Sequence, residues 1–83
     1  MKLTLIISDN CETCVRTRAT LISFVNLYSD IELIIQHINE IEINLAIVPA
    51  LFINNELFCY GEIDKYQIDK ILEINYAKET SGT

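Results

Sequence analysis

Two cysteines near the start of the chain have the spacing of a dithiol. Cys11 and Cys14 are three positions apart, so both sulfurs would lie on one side of a first helical turn. Such a pair can close a disulfide, and one thiolate can resolve a mixed disulfide that the other has formed. The same spacing occurs in zinc sites, which need two further ligands. The candidates, Cys59 and His37, do not form a pair with ligand-like spacing.

The segments around the two cysteines predict that the pair lies at the N-terminus of a helix. Residues 2–8 form an apolar run typical of a strand buried on both faces, and the polar loop 8–10 supplies capping side chains. Residues 11–28 then predict a helix. Free amides and the helix dipole at such a terminus stabilise a thiolate. We therefore expect Cys11 to be the accessible nucleophile and Cys14 to face the interior.

The charges beside the two cysteines have opposing effects. Asp9 and Glu12 disfavour a thiolate at Cys11, whereas Arg16 could offset Glu12. A Cys-x-x-Cys motif between a strand and a helix of a βαβ unit favours redox chemistry over metal binding. A zinc-binding domain and a pair of small buried hydrophobic residues are the alternatives.

The rest of the chain predicts an α/β domain. Five elements follow the first helix: a strand over 31–38, a short helix near 40–46, strands over 50–53 and 56–60 joined by a turn at Asn54 and Asn55, and a helix over 62–75. The order β-α-β-α-β-β-α gives a mixed four-stranded sheet with an abbreviated second helix. We expect one domain over residues 1–76 and a frayed tail over 77–83.

The pattern also predicts which side chains face the core. On the last strand, Cys59 is expected to be a buried free thiol on one face, with Phe58 and Tyr60 on the other. His37 is expected to be a solvated or capped side chain rather than a general base. The apolar positions predicted for the first helix are Val15, Ala19, Leu21, Ile22, Val25 and Tyr28.

Composition narrows the functional classes. The chain has 83 residues, of which 51% are hydrophobic, so it can build a small core and is not typical of a disordered segment. The net charge of −6 and the lack of a long basic stretch argue against nucleic-acid binding. The first apolar run is too short for a signal peptide or a membrane span, so we expect a cytoplasmic protein. Three cysteines do not indicate a disulfide framework.

Three features, in this order, resemble the thioredoxin/glutaredoxin superfamily in its minimal form. The first is the strand-to-helix junction over residues 6–14, with the sequence IISDNCETC. The second is the segment over residues 47–55, IVPALFINN, which is similar to the family's Val-Pro-Thr segment with its following strand and turn. The third is Gly61, followed by an amphipathic helix. The resemblance covers residues 2–75.

This resemblance implies a thioredoxin-like fold and a thiol–disulfide oxidoreductase. Pro49 would be a cis-proline facing the dithiol, and the backbone of Val48 would pair with an extended substrate segment. Cys11 would attack the disulfide of a protein or small molecule, and Cys14 would resolve the intermediate. An external reductant would supply electrons, without a bound cofactor, and we expect a monomer that binds neither nucleic acid nor membranes.

The chain also departs from the two main branches of this superfamily. It has no Trp before the motif and no Gly-Pro inside it, as thioredoxins usually have. It has neither the aromatic residue inside the motif nor the Gly-Gly-Asp stretch typical of glutaredoxins. A non-catalytic binding or redox-sensing module of the same fold is therefore the alternative function.

Overall fold

Four strands and two α-helices make up the part of the chain that the structure describes. The computed structural model describes the backbone of residues 1–42 and 47–81 and the side chains of residues 1–42 and 47–75. The strands are β1 (Lys2–Ile7), β2 (Glu32–His37), β3 (Ala50–Ile53) and β4 (Glu56–Tyr60), and the helices are α1 (Glu12–Val25) and α2 (Lys65–Ser81).

The strands form one mixed sheet in the order β2-β1-β3-β4. β1 and β2 are parallel, with Leu5 opposite Ile35, and α1 makes the crossover between them. β3 runs antiparallel to β1, and β4 runs antiparallel to β3. The predicted mixed four-stranded sheet is confirmed, including the parallel pairing of its first two strands.

The β3–β4 hairpin turns at two asparagines. Asn54 and Asn55 have φ angles of 49° and 74°, a left-handed conformation that Asn tolerates better than most residues. Asn54 also contacts β1, because its Oδ1 accepts a hydrogen bond from the backbone N–H of Lys2 at 2.9 Å. The turn that the sequence predicts at these positions is confirmed.

One hydrophobic cluster packs both helices against the same face of the sheet. Burying each large aliphatic side chain contributes about 1.5–3 kcal/mol relative to exposure. Because α1 and α2 share this cluster with the two central strands, their packing holds the helix termini against the sheet. Its buried members are Leu3, Leu5, Leu21, Phe24, Ile31, Leu51, Ile53, Ile63 and Ile71.

The buried face of α1 differs from the predicted one. Cys14, Thr17, Leu21 and Phe24 are its buried residues, at positions i, i+3, i+7 and i+10 of a single stripe. Val15 is 68% exposed, and Ala19 is exposed as well. The prediction that Val15 and Ala19 face the core is therefore wrong, because the small residues Cys14 and Thr17 occupy the inward positions of the first two turns.

A β-bulge changes the side of the sheet on which the side chains of β4 lie. Leu51 pairs with Cys59 and the next residue, Phe52, pairs with Leu57, which leaves Phe58 as an extra residue between the two pairs. Phe58 and Cys59 consequently both pack against the hydrophobic cluster. The prediction that they face opposite sides is wrong, since simple alternation along a strand does not hold across a bulge.

Several element boundaries also differ from the predicted ones, and α1 ends at Val25 rather than at residue 28. A 3-10 turn at Ile38–Glu40 precedes the short helix predicted near 40–46, residues 41 and 42 are not helical, and residues 43–46 lie outside the described part. α2 begins three residues later than predicted and continues to Ser81, into the segment predicted to be a frayed tail. The division into a domain over 1–76 and a tail over 77–83 stays a prediction. Within the described ranges, no helix has the length and apolar character to cross a bilayer.

Candidate dithiol site

Four chain segments meet at one edge of the sheet. The pairing of Ile7 with His37 places the ends of β1 and β2 side by side. Ala50, at the start of β3, lies opposite Ile6 on one side and Tyr60 on the other. The loop after β1, which leads to Cys11, is therefore at the same edge as the residues that precede β3 and follow β4.

The two cysteines of the motif are joined by a disulfide at the start of α1. Their Cα atoms are 5.1 Å apart, within the range that a disulfide spans. Cys14 is 2% exposed, whereas Cys11 is half-buried and lines an open groove. The structure thus places one sulfur where a second molecule can reach it and the other beneath it.

Cys11 is also the residue that caps α1. Its backbone is extended, and its Sγ accepts a hydrogen bond from the backbone N–H of Cys14 at 3.0 Å. The preceding residue, Asn10, has a φ of 56°, a left-handed conformation that turns the chain from the strand into the helix. When the disulfide opens, the same N–H can donate to a thiolate on Cys11, which would stabilise the negative sulfur.

Arg16 connects the first turn of α1 to the segment after β4. Its Nε lies 3.1 Å from Oε1 of Glu62, and its Nη2 donates to Oγ1 of Thr13 at 3.3 Å. The distance from Arg16 Nη1 to Oε2 of Glu12 is longer, 4.0 Å. The predicted compensation of Glu12 by Arg16 is therefore weak, because the guanidinium is closer to Glu62.

A histidine and an aspartate form a second contact beside the motif, which the sequence did not reveal. His37 caps the 3-10 turn. Its side-chain Nδ1 accepts a hydrogen bond from the backbone N–H of Asn39 at 3.1 Å, and the backbone N–H of His37 donates to Oε1 of Glu40. An Nδ1 that accepts a hydrogen bond leaves the proton of a neutral imidazole on Nε2. Nε2 lies 3.1 Å from Oδ1 of Asp9, although the two atoms do not have the geometry of a hydrogen bond. The sequence did not predict this capping role, and the parallel pairing of β1 and β2 is what brings His37 to Asp9.

The segment before β3 is held by a backbone hydrogen bond at the same edge. The Val48–Pro49 peptide bond is cis, Pro49 is buried, and Val48 is half-buried. The carbonyl oxygen of Pro49 accepts a hydrogen bond from the N–H of Gly61 at 2.7 Å. Gly61 has a φ of 79°, which a residue with a Cβ rarely adopts, so a glycine fits this turn.

Zinc binding receives no support from the described side chains. Among them, no group of three or more His, Cys, Asp or Glu residues could hold a metal ion. Cys11 and Cys14 are bonded to each other, and Cys59 is a free, half-buried cysteine.

Cys59 has a thiol of reduced acidity. Burial raises its pKa, and the negative charge of Asp64 raises it further. A raised pKa in the folded state means that the thiol favours folding at low pH. That contribution is lost as the pH rises through the folded-state pKa. The same shift keeps the thiol protonated and unreactive at pH values where an ordinary cysteine already forms a thiolate.

We therefore expect slow alkylation of Cys59 by iodoacetamide in the oxidised protein, where Cys11 and Cys14 are protected. The midpoint of the pH–rate profile should lie at a higher pH for the folded protein than for the denatured protein. Asp64→Asn should lower the midpoint of the folded protein only in part, because Cys59 stays half-buried. Asn is a matched replacement, since Asp64 caps α2 through Oδ1 and Asn also caps helices. Equal midpoints for folded and denatured protein would contradict this prediction.

Comparison with known proteins gives one family. A family model described as a thioredoxin domain matches residues 1–73. No curated protein matches the chain.

Proposed function

The chain belongs to the thioredoxin domain family, and from this membership we propose that it is a thiol–disulfide oxidoreductase that reduces or exchanges disulfides through Cys11 and Cys14. The observation that carries the proposal is the asymmetry of the pair. Cys11 is accessible at the helix N-terminus, and Cys14 is buried one turn later at disulfide-bonding distance. That asymmetry separates an attacking thiol from a resolving one.

The reaction would proceed through two thiol–disulfide exchanges. The Cys11 thiolate attacks one sulfur of the substrate disulfide, forming a mixed disulfide and releasing one substrate thiolate, which takes up a proton. Cys14 loses its proton and attacks the Cys11 sulfur, which releases the second substrate thiol. Two electrons pass to the substrate, and the Cys11–Cys14 disulfide forms. An external dithiol or reductase would return the pair to its reduced state.

The backbone of the chain supports these steps at two points. The N–H of Cys14 donates to Cys11 Sγ and can stabilise that sulfur when it is a thiolate. We assign substrate binding to Val48 and Pro49, because they precede β3 at the edge of the sheet where the dithiol lies. An extended substrate segment would pair with the backbone of Val48 in a short β-augmentation.

The same chemistry supports two proposals, one on the cellular setting and one on the assembly. A reducing compartment such as the cytoplasm would regenerate the dithiol, and we propose that the protein acts there. We also propose a monomer, because a single chain supplies both cysteines and the neighbouring Val48–Pro49 segment. Neither a bound cofactor nor a nucleic-acid or membrane partner is part of the proposed mechanism.

Reduction of insulin by dithiothreitol tests this proposal. We expect catalytic amounts of the protein to accelerate the precipitation of insulin B chains above the rate with dithiothreitol alone. Cys59→Ser is the matched control, since it removes a cysteine outside the dithiol, and it should retain the acceleration. An unchanged rate with folded wild-type protein would overturn the proposal and favour a non-catalytic module of the same fold.

A further inference from the structure

The groove beside Cys11 has an acidic rim. The carboxylates of Asp9 and Glu12, which flank the cysteine, have side chains that are 83% and 96% exposed. Both residues line the groove through which a second molecule would reach the Cys11 sulfur. The groove is lined by Ser8, Asp9, Asn10, Cys11, Glu12 and Val15.

Among the described side chains, the cationic groups in contact with this rim do not neutralise it. Arg16 is paired with Glu62 at 3.1 Å and is 4.0 Å from Glu12, so one guanidinium faces two carboxylates. His37 lies 3.1 Å from Asp9 and offsets its charge only when the imidazole is protonated. With a neutral His37, these groups leave an excess of negative charge around the groove, in a chain whose net charge is −6.

The groove also has an apolar side. Val15 is 68% exposed and lies one turn along α1 from Cys11, on the surface that a bound substrate would contact. An exposed aliphatic side chain beside two carboxylates suits a partner that has both an alkyl stem and a positive charge, as lysine and arginine side chains do.

We propose that this rim selects disulfides flanked by cationic groups and disfavours anionic disulfides such as that of glutathione. The inference depends on the proposed oxidoreductase function and adds its substrate class. Opposite charges at a binding groove raise association rates about tenfold or more, and like charges lower them. Because Asp9 and Glu12 are exposed, the effect should weaken as salt shortens the screening length.

Three small disulfides of different charge test the selectivity. Reduced protein would be mixed with cystamine, which is cationic, with hydroxyethyl disulfide, which is neutral, or with oxidised glutathione, which is anionic. Formation of the Cys11–Cys14 disulfide would be followed by maleimide trapping and mass spectrometry. Each rate would be divided by the rate of dithiothreitol with the same disulfide, which removes differences in intrinsic reactivity.

At low ionic strength we expect a normalised cystamine rate about tenfold above that of oxidised glutathione, with the neutral disulfide between them. High salt should bring the ratio of the normalised cystamine rate to the normalised glutathione rate close to one. The double variant Asp9→Asn with Glu12→Gln should reduce the preference by most of that factor, because it removes the two charges while preserving side-chain size.

The matched control is Glu32→Gln with Glu56→Gln. Both residues are exposed and begin β2 and β4 at the opposite edge of the sheet, so this variant makes the same change in net charge away from the groove. It should keep the wild-type preference.

Two results would overturn the selectivity while leaving the oxidoreductase proposal intact. One is a ratio near one at low salt, and the other is an equal loss of preference in the control variant. A folded protein that does not react even with the neutral disulfide would overturn the oxidoreductase proposal itself.

Discussion

Replacing Cys11 by serine is expected to lower disulfide reductase activity about a hundredfold or more, to the background rate of the reductant. A serine hydroxyl is not ionised at neutral pH and does not attack a disulfide, whereas a thiolate does. The fold should be retained, because serine also caps helices and can accept the hydrogen bond from the N–H of Cys14. Insulin reduction measures the loss, and circular dichroism checks the fold.

Replacing Cys14 by serine should have a different consequence. Cys11 can still attack the substrate, but no second thiol resolves the mixed disulfide, so a covalent complex should accumulate. Serine is close to cysteine in size, and the hydrogen bond to Cys11 comes from the backbone of residue 14, so the capping geometry is preserved. Non-reducing electrophoresis and mass spectrometry detect the complex.

The two variants together test the assignment of roles. A trapped complex with Cys14→Ser and none with Cys11→Ser is the expected pattern, since Cys14 is 2% exposed. The reverse pattern would show that Cys14 is the attacking residue. Full activity of Cys11→Ser would contradict the mechanism altogether.

The position of the dithiol could be predicted because its signals are local. Cys11 and Cys14 lie between an apolar run with its polar loop on one side and a helical pattern on the other. These patterns are close in sequence, so short-range rules locate the strand-to-helix junction. The hairpin is equally local, since Asn54 and Asn55 tolerate the left-handed conformation that a two-residue turn requires.

Features that depend on contacts between distant segments could not be predicted from the sequence in the same way. Cys14 and Thr17 take the inward stripe of α1 although Val15 is more apolar, because the register of the helix against the sheet decides which side is covered. The bulge at Phe58 is a property of the pairing with β3, not of the β4 sequence. The contact of His37 with Asp9 likewise depends on the parallel register of two strands.

Truncation of Leu5 to alanine should destabilise the protein more than any of the cysteine or surface-charge substitutions. Leu5 is 0% exposed in the central part of β1, between Ile35 of β2 and Leu51 of β3. A Leu→Ala change at a fully buried site costs about 2–5 kcal/mol, from lost transfer free energy and the cavity left behind. For a domain of this size, a loss of about 3 kcal/mol lowers Tm by about 15 °C.

Leu27→Ala is the matched control, because it makes the same chemical change just after α1 at a side chain that is 77% exposed. Its free energy of unfolding should stay within about 0.5 kcal/mol of wild type. Denaturant unfolding of both variants in the oxidised state measures the difference with the disulfide held constant. Similar losses for the two would contradict the placement of Leu5 in the core. A large loss for Leu5 alone is expected, because Leu5 packs in the same cluster as Leu21 and Phe24 and so couples the strand before the dithiol loop to α1.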